Sequence, residues 1–136
     1  MKPVMQTKFG VPWGNCLQAC IASIFEISIE DAPDFGDICE DDDNKPRRSW
    51  WRILQNWCAE RNMAVVQVTA GSAWIPENAY LIAGGKSPRG EFNHAVVWYG
   101  GKIVHDPHPD QTGLAERPTD YDLFVVLDPA KTKEAG

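Results

Sequence analysis

The chain has 136 residues, of which 43% are hydrophobic and 24% are charged, a composition that suits one folded core and excludes wholesale disorder. Its 13 basic and 19 acidic residues give a formal net charge of -6, the wrong sign for holding a phosphate backbone, so we expect no nucleic-acid partner. No run approaches the roughly 20 apolar residues that cross a bilayer, and the first ten residues lack the apolar stretch of a signal peptide. We therefore predict a single cytosolic domain over residues 1–136 with no membrane contact.

The N-terminal segment is predicted to be an arm followed by a buried helix. Residues 1–15 contain two prolines and two glycines and should be irregular or extended. Residues 16–27, CLQACIASIFEI, are almost all apolar, which predicts a helix buried nearly all round. Only Gln18, Ser23 and Glu26 interrupt this pattern, and their spacing predicts a narrow polar stripe.

Two further helical segments and an acidic stretch follow. Ser28 and Asp31 have the spacing of a capping box, which predicts a short second helix. Residues 30–43 include eight acidic residues and are typical of a solvated loop. Residues 49–62 place apolar side chains on one helical face, with three tryptophans that we expect in the core or in the wall of a groove. These are Trp50, Trp51 and Trp57.

After residue 62 the pattern changes to short strands rich in β-branched and aromatic residues. The predicted strands are residues 64–69, 79–83, 93–99, 102–106 and 122–127. Because the helices come first and the strands second, we predict an α+β fold with the helices packed on a largely antiparallel sheet. The tail, residues 129–136, should fray.

Cys16 is the candidate nucleophile. The four cysteines are too few and too scattered for a disulfide framework and should remain thiols in a reducing compartment. Cys16 follows the sequence Trp-Gly-Asn and opens the first helix, where unpaired backbone N–H groups and the helix dipole favour a thiolate. Cys20 lies one turn deeper and is expected to be a small core residue.

A thiol nucleophile needs a base, and the chain has only three histidines. His94 opens a predicted strand, and Asp106 ends the next one, where a carboxylate could fix the imidazole tautomer. A strict two-residue turn between these strands would place His105, not Asp106, on the face of His94. A three-residue loop or a bulge would bring His94 and Asp106 to one side, and we predict an odd-length loop at residues 99–102.

Acyl transfer also needs hydrogen-bond donors for the oxyanion. The backbone N–H of Cys16 is one candidate. A side-chain amide from the arm could supply the second, and Gln6 is favoured over Asn15, which adjoins the nucleophile and is better placed to shape the turn.

These residues, in this order, resemble a known family. An arm with Gln6, then Trp-Gly-Asn-Cys opening an apolar helix, then His-Ala-Val-Val and finally Asp-Pro is similar to papain-like cysteine peptidases, most of all to the bacteriocin-processing type that removes double-glycine leaders. The resemblance implies that Gln6 lines the oxyanion hole, Cys16 is the nucleophile, His94 is the general base and Asp106 orients it. It also implies cleavage of a peptide or related amide in a peptide or protein substrate, with no cofactor and no metal.

Three alternatives remain open. The same triad order occurs in transglutaminase-like enzymes and acyltransferases, so the acyl acceptor could be an amine. A non-catalytic peptide-binding module could use Trp74, Trp98 and the acidic stretch as a partner surface. A zinc site is the third alternative, since Cys16, Cys20, His105 and His108 have roughly the ligand inventory for that metal.

One basic loop lies between two predicted strands. Residues 86–90, KSPRG, are typical of a solvated connection but could border a cleft beside His94 and accept an acidic substrate group. The run Gly-Gly-Lys-Ser at 84–87 lacks the upstream glycine and the following helix of a phosphate-binding loop. Nucleotide binding is therefore not expected.

Overall fold

The structure, a computed structural model, describes residues 1–10, 14–35, 48–71 and 74–131. Its elements in chain order are helix α1 (Cys16–Phe25), a 3-10 helix (Ile29–Asp31), helix α2 (Arg48–Ala59) and strands β1 (Met63–Thr69), β2 (Leu81–Lys86), β3 (Asn93–Tyr99), β4 (Lys102–His105) and β5 (Asp120–Val126). The strands form one antiparallel sheet in the order β1-β5-β2-β3-β4. The predicted α+β class, with helices preceding an antiparallel sheet, is confirmed.

Helix α1 ends two residues earlier than predicted, because Glu26 takes a left-handed conformation with φ 56°. The expected polar stripe is wrong, since Gln18 and Ser23 are buried. The Gln18 side-chain amide donates to the carbonyl of Ile29 at 2.9 Å, and the Ser23 hydroxyl accepts the backbone N–H of Val4 at 2.9 Å. These polar side chains therefore hydrogen-bond α1 to its neighbouring segments. A hydropathy pattern cannot distinguish such a buried polar side chain from a solvent-exposed one.

The short second helix is present as three residues of 3-10 helix. The side chains of Ser28 and Asp31 hydrogen-bond to each other at 3.0 Å, but Ser28 caps no backbone N–H. A capping box joins each side chain to a backbone N–H, so this side-chain pair does not form the predicted box. Most of the acidic stretch, residues 36–43, lies outside the described residues.

The core lies between the two helices and one face of the sheet. Its buried members come from both helices, from the segment after the 3-10 helix and from strands β1, β2 and β3. They are Cys20, Ile21, Ala22, Ala32, Phe35, Leu54, Cys58, Val65, Ile82 and Val97. Helix α1 packs mainly on β3, and α2 packs on β1. This arrangement directs the first turn of α1 toward the start of β3.

Strand β2 differs from its predicted range because it runs through two consecutive glycines. Gly84 pairs with Ala95 of β3 and with Asp120 of β5, and Gly85 pairs with His94. Glycine pairs usually indicate turns, but here they form the centre of the sheet. Strand β5 accordingly begins at residue 120, two residues before the predicted start.

The connection from β3 to β4 is a two-residue turn with a bulge, not the predicted odd-length loop. Tyr99 pairs with Lys102 across Gly100 and Gly101, whose φ angles are 62° and 82°. Positive φ at both positions suits a tight hairpin turn. An irregularity between Val97 and Trp98 then shifts the register so that Val97 pairs with His105. The shift places Asp106 on the His94 side of the hairpin. The predicted side is therefore correct, but a bulge and not a three-residue loop produces it.

The predicted frayed tail falls partly on described residues. Residues 129–131 form a short helical turn, and residues 132–136 lie outside the described part of the chain. Within the described ranges, no helix is long and apolar enough to cross a membrane.

Candidate active site

His94 and Asp106 form a buried pair. The His94 Nε2 and Asp106 Oδ1 atoms are 2.7 Å apart, and the side chains are each 3% exposed. The same carboxylate accepts two backbone N–H groups, from His108 at 3.0 Å and from Gly113 at 2.8 Å. The loop after β4 therefore wraps around Asp106 and holds it in place beside His94.

Hydrogen bonding keeps Asp106 ionised and fixes the protonation of His94. Burial acts to raise the pKa of Asp106, but the hydrogen bonds from His94, His108 and Gly113 outweigh it and leave that pKa below its ordinary value. Burial, together with the charges of Arg89 and His108, outweighs the effect of Asp106 and lowers the pKa of His94, so the ring is neutral at pH 7. Because an ionised carboxylate only accepts, Nε2 carries the proton and Nδ1 keeps a free lone pair that can act as a base.

Cys16 is the first residue of α1, and the arm holds this end of the helix. The Asn15 side-chain oxygen accepts the backbone N–H groups of Thr7 and Lys8, each at 2.9 Å. Gly14 approaches the arm so closely that a Cβ there would lie 2.6 Å from the carbonyl oxygen of Gly10. Asn15 thus shapes the turn before the nucleophile, as predicted.

The expected low pKa of Cys16 is wrong for this structure. Burial raises the pKa of the thiol above its ordinary value, although backbone N–H groups of Ala95, Leu17 and Cys16 itself act in the opposite direction. The helix N-terminus is therefore present, but loss of solvent is the larger effect. The resting pair is a neutral thiol and a neutral imidazole, since the pKa of His94 is also lowered by burial.

Cys16 and His94 line one cleft without being hydrogen-bonded to each other. Both residues border a cavity of about 360 Å³, and the thiol lies beside the backbone N–H of Ala95, the residue that follows His94. Among the hydrogen bonds of the described residues, none joins the Cys16 sulfur to the imidazole. Catalytic hydrogen bonds are often longer before substrate binds. The structure therefore brings the thiol and the imidazole to the same cleft without a hydrogen bond between them.

Gln6 also lines the cleft and is buried. Its backbone N–H donates to the carbonyl of Pro107 at 3.0 Å, and its side-chain nitrogen donates to the carbonyl of Lys8 at 2.9 Å. The second N–H of that nitrogen has no acceptor in the described part of the chain. The side-chain oxygen is buried and has no hydrogen-bond partner among the described residues. The structure therefore brings Gln6 to the site, attached to the residue that follows Asp106.

The structure adds cleft residues that the sequence did not single out. Asp120 and Asp122 of β5 line the cleft with Gln67 of β1. The sequence contained little indication of this role, because the predicted strand began at Asp122 and left Asp120 outside it. Nothing in the sequence placed either residue near Cys16. Arg89, from the basic loop, lines the cleft too, and its charge lowers the pKa of His94, so this loop borders the site.

The alternative zinc set is not assembled. Cys20 is fully buried, and the His105 Nε2 lies 2.8 Å from the carbonyl oxygen of Val4. The described residues contain no group of three or more potential ligands placed to hold a metal ion.

The surface suggested for a binding module is only partly visible. Trp74 is 71% exposed. Trp98 is half-buried and packs against Tyr121, with ring centroids 5.5 Å apart. The acidic segment that would complete such a surface lies mostly outside the described residues.

Comparisons with protein-family models, with curated proteins and with solved structures find no match for this chain. A function for the chain is therefore argued from the chemistry of the cleft.

Proposed function

We propose that the chain is a papain-like cysteine peptidase or amidase that cleaves an amide bond through a thioester on Cys16. The observation that supports this most directly is the buried His94–Asp106 pair, 2.7 Å apart, because its histidine lines the cleft that also holds a thiol at a helix N-terminus. Burying a histidine and a carboxylate together costs solvation free energy. This cost is offset by a function if the free Nδ1 atom of His94 serves as the base for the thiol in the same cleft.

In the proposed first step, the neutral imidazole acts as a general base. His94 Nδ1 takes the proton of the Cys16 thiol as the sulfur attacks the carbonyl carbon of the substrate, and the carbonyl oxygen becomes an oxyanion. Asp106 remains ionised and stabilises the imidazolium that forms. The raised pKa of Cys16 and the lowered pKa of His94 favour this concerted transfer over a thiolate–imidazolium pair at rest.

Collapse of this intermediate completes acylation and is followed by hydrolysis. The C–N bond breaks, His94 gives its proton to the leaving amine, and a thioester remains on Cys16. Water then attacks the thioester while His94 takes its proton, the C–S bond breaks, and His94 returns the proton to the Cys16 sulfur as the acid leaves. Gln6 Nε2 and the Cys16 backbone N–H are the proposed oxyanion donors, a role worth several kcal/mol in acyl transfer. The reaction uses no cofactor.

Turnover of a labelled protein substrate tests the proposal. We expect fluorescein-labelled casein to be cleaved by the unaltered chain and not by the Cys16→Ala variant, while Cys20→Ala retains activity because that side chain is buried one turn below the site. Retention of cleavage by Cys16→Ala would exclude Cys16 as the nucleophile.

Thiol labelling provides a test that needs no substrate. Iodoacetamide at low concentration should modify Cys16 before Cys20 and Cys58, which are fully buried, with the sites located by mass spectrometry. His94→Ala should slow this labelling, because the variant loses the base that receives the thiol proton. Equal labelling of all the cysteines would contradict the proposal.

The second candidate, an amine acceptor in place of water, differs only in the last step. Adding hydroxylamine or glycinamide to the reaction separates the two. A peptidase gives mainly the free acid, and an acyltransferase gives mainly the amide of the added amine.

A further inference from the structure

Two carboxylates of β5 lie in the part of the cleft that the proposed reaction does not use. Asp120 and Asp122 are two residues apart on one strand, so both side chains face the same side of the sheet, and both line the cleft. A Cβ at Gly84 would lie 2.8 Å from the Asp120 Oδ1 atom. The glycine therefore leaves the space in which this carboxylate sits.

Asp122 is buried without a compensating cation. It is 6% exposed, and its one hydrogen bond among the described residues is a long contact of 3.4 Å from Gln67 Nε2 to Oδ1. No described Lys, Arg or His forms an ion pair with it. Oδ2 has no hydrogen-bond partner within the described ranges and is not fully buried, and Asp122 lines the cleft. Buried carboxylates are normally paired, and burial together with the charge of Asp120 raises the pKa of Asp122 to about 7.

Apolar side chains line the same cleft. Ile82 pairs directly with Asp122 across β2 and β5, which places the two side chains next to each other on one face. Phe35 and Trp50 add aromatic surface, and their ring centroids are 6.2 Å apart. An apolar wall beside a buried carboxylate matches a side chain with an aliphatic stem and a cationic end.

The carboxylates lie within reach of a peptide attacked by Cys16. The thiol is beside the N–H of Ala95, and Ala95 is in register with Gly84 and Asp120. Since adjacent strands are about 4.8 Å apart, β5 lies about 10 Å from β3. An extended peptide covers that distance in about three residues.

We propose that this part of the cleft is a specificity subsite for a lysine or arginine side chain within about three residues of the scissile amide, with Asp122 and Asp120 as its counter-charges. The inference names the substrate class for the proposed peptidase and rests on that function for its catalytic part. The recognition of a cationic side chain is measurable without catalysis.

Binding to the Cys16→Ala variant provides the test. The probes are N-acetylated hexaalanine amides with one lysine at each position in turn, each paired with a norleucine peptide that keeps the aliphatic stem and lacks the ammonium group. Isothermal titration at pH 8 should show at least one lysine peptide binding about 10-fold more tightly than its norleucine partner. The additional change Asp122→Asn should remove that difference.

Glu116→Gln is the matched control, because it removes one negative charge from an exposed residue that does not line the cleft. This variant should keep the preference, which excludes a general attraction of cationic peptides to an acidic protein. Equal affinities within every pair, or equal losses for Asp122→Asn and Glu116→Gln, would overturn the subsite. If the preference holds while the unaltered chain cleaves none of these peptides or casein, the subsite stands and the peptidase function fails.

Discussion

Two buried aspartates, one paired with the cleft residue His94 and the other lining the cleft itself, have opposite surroundings. Asp106 accepts three hydrogen bonds, from His94, His108 and Gly113, and its pKa lies below the ordinary value. Asp122 accepts one long contact from Gln67, and its pKa is raised to about 7. Burial alone therefore does not determine the charge of a carboxylate. The donors that the chain supplies decide it, and where they are missing the group is open to an external cation.

Removing the well-paired carboxylate should have the largest effect. Asp106→Ala leaves nothing to hold the proton on His94 Nε2, so the free lone pair on Nδ1 is no longer assured, and we expect kcat/KM to fall about 10³-fold. Peptidase kinetics and ¹⁵N spectra of the imidazole measure the loss of rate and of tautomer together. Asp110→Ala, an exposed residue of the same loop, serves as the control. An unchanged kcat/KM in the Asp106→Ala variant would show that Asp106 does not orient His94 for catalysis.

A smaller loss is expected at the oxyanion donor. Gln6→Ala removes the free side-chain N–H and should lower kcat about 10²-fold. Gln6→Glu keeps the shape but places an acceptor where a donor is needed, so it should be at least as slow. Thermal denaturation of both variants checks that the arm still docks through the backbone N–H of Gln6. Unchanged kcat in Gln6→Glu would reassign the donor.

The poorly paired carboxylate should show the opposite effect, on stability. The folded chain holds the Asp122 proton up to about pH 7, whereas the unfolded chain releases it near pH 3.8. The free energy of unfolding therefore falls as pH rises from about 4 to about 7. The full pKa difference corresponds to about 4 kcal/mol, and since one oxygen is not fully buried we expect about half of this.

Asp122→Asn removes that pH-dependent cost. The variant should unfold at a temperature several degrees higher than the unaltered chain at pH 8 and at nearly the same temperature at pH 4. Thermal scans at both pH values measure the difference. A lower unfolding temperature at pH 8 would mean that the Asp122 charge is compensated in the folded chain.

The smallest effect concerns the charge that acts on the histidine. Arg89 lowers the pKa of His94 through its charge, so Arg89→Gln should raise that pKa. Because the neutral ring is the base, the acid limb of the kcat/KM profile should move to higher pH by a small amount. Lys86→Gln is the control, since Lys86 is exposed and does not line the cleft. A shift to lower pH would contradict the assigned direction.

The sequence was informative where a residue type is scarce or a pattern is long. Three histidines and a cysteine that opens an apolar helix were enough to select Cys16, His94 and Asp106. In the structure Cys16 and His94 line one cleft, and His94 and Asp106 form a buried pair. The class of the fold followed from helical periodicity in the first half and β-branched runs in the second.

Tertiary effects account for what the sequence could not predict. The pKa of Cys16 depends on how far the folded chain excludes solvent from the thiol. The local sequence around Cys16 does not contain that information. Gln18 and Ser23 looked solvent-exposed because their hydrogen-bond partners lie in other segments. The Asp120 and Asp122 pair became part of the cleft only through the pairing of β5 with β2, a contact between residues almost forty positions apart.

The bulge between Val97 and Trp98 has a consequence for how this chain tolerates changes in length. With a two-residue turn, the single extra residue of the bulge is what brings Asp106 to the same side as His94. If the turn stays two residues long, inserting one residue between Gly100 and Gly101 would reverse the side on which every later residue of the hairpin points, and the carboxylate would leave the imidazole. Deleting Val104, the extra residue of the bulge, would leave His105 opposite Val97 and Asp106 on the His94 side, so the hairpin should accept a deletion at the bulge more readily than an insertion at the turn.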